Sequence, residues 1–173
     1  RASNGGGGMF LNGDDTASSN FELEECWFRE NVSLGTPGGG GLGATAPGLA
    51  VEVDRTTFSG NRATDGGGNG GALLMNRASL HIERSTFSAN EAAAYGGAIL
   101  VSATNASALL ALRDVTVTAN RANSDSDAVG GGGGVAAFID SGQTATLELA
   151  NTILAGNLDP SAAPSPDAFL LAG

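Results

Sequence analysis

The sequence contains no lysine: all eight basic residues are Arg, against 18 acids, for a formal net charge of −10. A chain this acidic repels phosphate backbones, which excludes nucleic acid as an expected partner. Cysteine is nearly absent, and Cys26 alone permits neither an internal disulfide nor a cysteine-built metal cluster. Histidine, tryptophan and tyrosine occur once each, and aromatic residues make up only 5%. No apolar run approaches the roughly 18 residues of a membrane helix, so no membrane span is expected. An initiating Met and a signal peptide are also missing ahead of Arg1, which reads as a piece processed or excised from something longer.

What is present is glycine and alanine, 28 and 29 of the 173 residues. The glycines come in clusters, not at every third position, so a collagen reading fails. The hydrophobic share of 41% is too high and too evenly spread for disorder, and the length suits one domain.

A repeat lies beneath the glycines. An apolar residue, two small or polar residues and an Asn recur at Phe28 to Asn31, Phe58 to Asn61, Phe87 to Asn90, Val117 to Asn120 and Leu154 to Asn157. The Asn spacings are 30, 29, 30 and 37. Upstream of each lies an alternating triplet: Phe21-Glu-Leu23, Val51-Glu-Val53, Leu80-His-Ile82, Leu110-Ala-Leu112 and Leu147-Glu-Leu149. Alternation is the period of a half-buried strand. The phase slips between triplet and Phe, at Glu24-Glu25, Asp54-Arg55, Glu83-Arg84, Arg113-Asp114 and Ala150-Asn151, which a two-residue bend explains. A third element is a glycine cluster followed by a short apolar run, as at Gly70-Gly71 and Gly96-Gly97.

Three short strands per roughly 30 residues, without a helical period, predict an all-β solenoid: a single-stranded parallel β-helix of about five coils over 1–157. Residues 158–173 then form a Pro-rich break that could begin a further coil. The longer fifth repeat predicts a protruding loop including Asn123 to Asp127. Glycines would supply positive φ at corners. Asn31, Asn61, Asn90, Asn120 and Asn157 would form a structural ladder, each amide bonding the turn of the next coil.

Phe28, Phe58, Phe87, Val117 and Leu154 form the core ladder in this reading, beside Leu23, Val53, Ile82, Leu112 and Leu149. Cys26 shares an inward slot with Thr56, Ser85, Val115 and Thr152. Outward on the second strand stand Glu22, Glu52, His81, Ala111 and Glu148. Glu22 and Glu52 are weak candidates for a Ca²⁺ site or an acid/base pair, set against an ordinary solvated face. With Ala72/Leu74 and Ala98/Leu100 taken as inward, Phe10, Leu73, Ile99, Met75, Val101 and Phe138 would make an outward apolar stripe and a candidate interface. A phase error or a covering loop, Val32 to Pro47, would remove it. Trp27, outward beside Thr57, Thr86 and Thr116, is a candidate glycan contact.

The Gly-Gly-Ala-Leu/Ile runs at Gly70 and Gly96, with Phe-x-x-Asn at Phe28, Phe58 and Phe87, resemble the repeats of chlamydial polymorphic outer membrane proteins. Leu147 to Asn157, followed by Pro166-Asp167, is similar to the closing repeats of bacterial secreted proteins with a choice-of-anchor domain. The resemblance implies a right-handed β-helix related in fold to pectate lyases, secreted or displayed at the cell surface. The fourth and fifth repeats depart from it, with Val117 and Leu154 in place of Phe.

The matching residues shape the coil and carry no recurring catalytic constellation. The expected function is a non-catalytic extracellular or cell-surface module: a scaffold, adhesin-like or filament-forming, with a protein partner or self-association. The alternatives are a fragment of a polysaccharide lyase or glycoside hydrolase, or a carbohydrate-binding module centred on Trp27. No cofactor is expected beyond the Ca²⁺ of the weak Glu22–Glu52 candidate.

Overall fold

The computed structural model describes residues 6–13, 18–35, 38–64, 67–126, 130–160 and 167–172. Their secondary structure is strand throughout. The first coil holds β1 (Met9–Asn12), β2 (Ser19–Glu24), β3 (Trp27–Arg29) and β4 (Val32–Ser33). The second holds β5 (Leu42–Thr45), β6 (Leu49–Asp54), β7 (Thr57–Ser59) and β8 (Arg62–Ala63), and the third β9 (Leu73–Asn76), β10 (Ser79–Glu83), β11 (Thr86–Ser88) and β12 (Glu91–Ala92). The fourth has β13 (Ile99–Ala103), β14 (Ala108–Arg113) and β15 (Thr116–Thr118). The fifth has β16 (Val135–Ile139), β17 (Ala145–Ala150) and β18 (Ile153–Ala155), and β19 (Ala168–Ala172) follows.

Equivalent strands stack in parallel into sheets of six, five, five and three strands, and the chain is a parallel β-solenoid. The four sheets are numbered here by the strand that begins each, β1 to β4. The fourth sheet, two residues per strand after each Asn in the first three coils, was not among the three strands expected per coil. Two-residue strands are too short to show an alternation.

Each expected bend is present and has a local cause. Its second residue, Glu25, Arg55, Arg84, Asp114 or Asn151, is left-handed, with φ between 46° and 54°. One such residue reverses the side-chain phase, so both the triplet and the following Phe face inward. Small inward hydroxyls stitch these bends together: Thr56 Oγ1 donates to Asp54 O at 2.9 Å and accepts from Cys26 N at 3.2 Å. Ser85 Oγ repeats this one coil on, donating to Glu83 O and accepting from Thr56 N.

The core lies between the first three sheets. Phe28, Phe58 and Phe87 stack with centroids 4.7 Å apart and planes within 7° of parallel. Phe58, Phe87, Val117, Val53, Ile82 and Leu112 are buried, each contributing about 1.5–3 kcal/mol through burial. Leu149 continues its ladder in register but is exposed, because it lies in the last strand of its sheet.

The first sheet corrects the expected phase. Register aligns Leu42 with Leu73, Ile99 and Val135, and Ala44 with Met75, Val101 and Ala137. Leu73, Ile99, Met75 and Val101 therefore face inward as buried core and form no outer stripe. The phase differs from the expected one because the glycine clusters differ in length: Gly41 occupies the place of Ala72, Ala98 and Gly134. A stripe exists one residue along, at Leu74, Leu100 and Ala136, and it too is buried, against Tyr95, Phe138 and Phe169. Tyr95 meets Phe138 edge-on at 4.5 Å, so the turn before Gly96 supplies part of the cover, together with Phe138 and Phe169. Phe10 remains 41% exposed.

In the long fifth repeat, Ala122 and Asn123 are buried, while Asp125 and Ser126 are exposed; Asp127 lies outside the described residues. β19 pairs with β16 as the sixth strand of the first sheet.

Candidate functional site

Glu22, Glu52, His81, Ala111 and Glu148 form one column on the outer face of the second sheet. Each stands between two inward apolar residues, so alternation alone turns it to solvent. Beside them runs the bend column Glu24, Asp54, Glu83 and Arg113, with Arg55 and Arg84 projecting from the left-handed positions. Floor and bend enclose two adjoining depressions, of about 420 Å³ around Glu22, Glu52 and Arg84 and about 370 Å³ around Arg113 and Glu148. They share His81 and Glu83 and so make one groove along the coil axis.

The groove wall is a ladder of ion pairs. Arg55 contacts Glu24, Asp54 and Glu25, the last at 3.1 Å. Arg84 lies 2.7 Å from Asp54 and 2.8 Å from Glu83. The Arg84 hydrogen bond holds the Asp54 carboxyl below its ordinary range, against a desolvation that would raise it. The Glu25 bond holds Arg55 above its ordinary value, and the Asp54 bond does the same for Arg84. Arg55 bonds to Glu24 and Glu25 one coil back, and Arg84 to Asp54, so both arginines bridge adjacent coils. Glu22 and Glu52 stand one coil apart, but no three His, Cys, Asp or Glu side chains among the described residues converge to hold a metal ion.

The Asn ladder is a structural element, buried at Asn61, Asn90, Asn120 and Asn157 and half-buried at Asn31. Asn61 Nδ2 donates to Asn90 Oδ1 at 2.9 Å and to Phe28 O at 2.9 Å, and its backbone N–H donates to the same Asn90 oxygen. Asn90 and Asn120 repeat the pattern onto Asn120 and Asn157, and Asn31 donates to Asn61 Oδ1 at 3.0 Å. At the far end Asn157 Nδ2 donates to Asp167 Oδ1 at 3.0 Å. Asp167 thus accepts the bond that a further Asn would take, a role its position before β19 gave no sign of.

Exposed large hydrophobics occur only at the two ends of the coil among the described residues. Phe10, Trp27 and Leu34 belong to the first coil, and Leu147, Leu149, Ile153, Leu158 and Leu170 to the last. Leu147 and Leu149 face the core from the last strand of their sheet, with no strand beyond it among the described residues. Being last in a sheet does not explain Ile153, which stands outward in register with Thr116, or Leu158, which follows Arg62, Glu91 and Arg121 in an outward column. An apolar hollow of about 240 Å³ opens at the same end, lined in part by Leu110, Leu147, Phe169 and Leu170. The Leu158 substitution becomes visible only once the register is known. Cys26 is a free, half-buried thiol whose Sγ lies 3.2 Å from Glu24 O.

Among known proteins, the chain matches no family model, no curated protein and no solved structure. No helix among the described residues is long and apolar enough to cross a membrane.

Proposed function

We propose that the protein is a non-catalytic β-helix module, acting outside the cell or at its surface as a scaffold that self-associates through its coil ends. The observation that carries this reading is the confinement of exposed large hydrophobics to the first and last coils, including outward Ile153 and Leu158 where inner coils carry Thr or charge. An exposed apolar patch where the neighbouring coils present Thr and charge favours a protein contact. Secretion or surface display is supported by the resemblance of the repeats to exported β-helix proteins. Sedimentation velocity over rising concentration should show association, and Ile153→Asp with Leu158→Asp should shift it toward monomer while the circular dichroism spectrum is kept. A monomer at all concentrations contradicts the proposal.

A second reading, a polysaccharide-acting lyase or hydrolase, is favoured by the continuous groove over Glu22, Glu52 and His81. Turnover of a uronate or neutral glycan with added Ca²⁺, abolished by Glu52→Gln, would replace the scaffold reading.

A further inference from the structure

The outer face of the third sheet carries two columns of side chains. One reads Trp27, Thr57, Thr86 and Thr116, and the other Arg29, Ser59, Ser88 and Thr118, each in strand register. Their axial spacing is set by the rings directly beneath, 4.7 Å apart and nearly parallel, so the hydroxyls stand in straight rows with little twist. The columns lie two residues apart along each strand, roughly 6.6 Å. The hydroxyls of Thr57, Thr86, Thr116, Ser88 and Thr118 bond to no other group among the described residues, and are left to whatever lies outside.

At one end of this grid stands Trp27, 66% exposed. Exposure normally leaves an indole free to sample rotamers, but this one is tethered twice. Its Nε1–H donates to Ser59 Oγ, one coil on, at 3.1 Å. The Arg29 guanidinium lies 5.4 Å from the ring centroid, within cation–π reach. A ring held by its polar edge, with apolar surface in water, is a ready stacking platform for the apolar face of a sugar. Pre-set orientation also lowers the entropy lost on binding. The strip is distinctive in charge: in a chain of net charge −10, these eight positions hold no carboxylate, and their one cation, Arg29, is paired with Glu30 at 2.9 Å. Such a surface suits an uncharged ligand rich in hydroxyls.

We propose that this strip binds a neutral β-linked oligosaccharide laid along the coil axis. One pyranose ring stacks on Trp27, and the following rings hydrogen-bond to the Thr and Ser columns. The site is separate from the acidic groove of the second sheet, and the proposal does not rest on the assembly reading.

The chain has a single Trp, so its fluorescence reports this site directly. Titration with cellohexaose and xylohexaose, at a protein concentration where sedimentation shows monomer, should blue-shift the emission and protect Trp27 from acrylamide quenching. An oligogalacturonate of equal length should do neither. The double variant Thr86→Val, Thr116→Val keeps side-chain shape and the Trp signal, and should weaken binding at least fivefold. No shift or protection with either neutral oligosaccharide at millimolar concentration overturns the proposal. So does equal binding of the oligogalacturonate, or unchanged affinity in the double variant.

Discussion

Asn90 shows how much one residue carries. It accepts from the backbone and side-chain amides of Asn61 and donates to Phe58 O and Asn120 Oδ1, all buried. Replacing it with Ala strips partners from groups that water cannot reach, at about 1–3 kcal/mol for each group left unsatisfied. Asn90→Ala should therefore cost about 3 kcal/mol or more, read from the midpoint of urea unfolding. Asn90→Asp should cost no less, because a carboxylate would face two oxygens where the amide donates; a milder effect in Asp would argue against the ladder geometry. Residues of this kind were legible because Asn recurs at one template position and has few other reasons to be buried there. Asp167 was not legible, since a single carboxylate acting once leaves no period to detect.

At the scale of strands and bends, legibility followed the strength of the alternation. The second and third strands kept their expected faces because apolar residues, most of them bulky, recur at two inward positions of each second strand and at the central position of each third. The first strand did not: Ala72-Leu-Leu-Met75 and Ala98-Ile-Leu-Val101 are apolar on both faces, so no pattern fixed the phase. Both faces are in fact buried, one by the core and the other under Tyr95. The bends add an electrostatic element. Asp54 holds its proton less tightly folded than unfolded, so its stabilising contribution is complete above the ordinary aspartate value near about 3.9. That contribution is lost as the pH falls through the lower folded value. Stability should thus decline on acidification below about pH 4, and Asp54→Asn should flatten that part of the profile in thermal melts across pH. An unchanged acid limb in the variant would show that other carboxylates dominate it.

The whole molecule is a stack of nearly parallel layers. Rings 4.7 Å apart and within 7° of parallel show that the first three coils sit almost squarely on one another. Inner coils present Thr, Ser and paired charges outward, while the end coils present Phe10, Ile153 and Leu158. That distribution favours growth along the axis over sideways aggregation, since the flanks between the ends expose no large hydrophobic among the described residues. Small-angle X-ray scattering of the intact chain over a concentration series measures the two directions separately. Axial association keeps the cross-sectional radius constant while particle length increases; a fixed length at every concentration, or a cross-section that grows instead, rules it out.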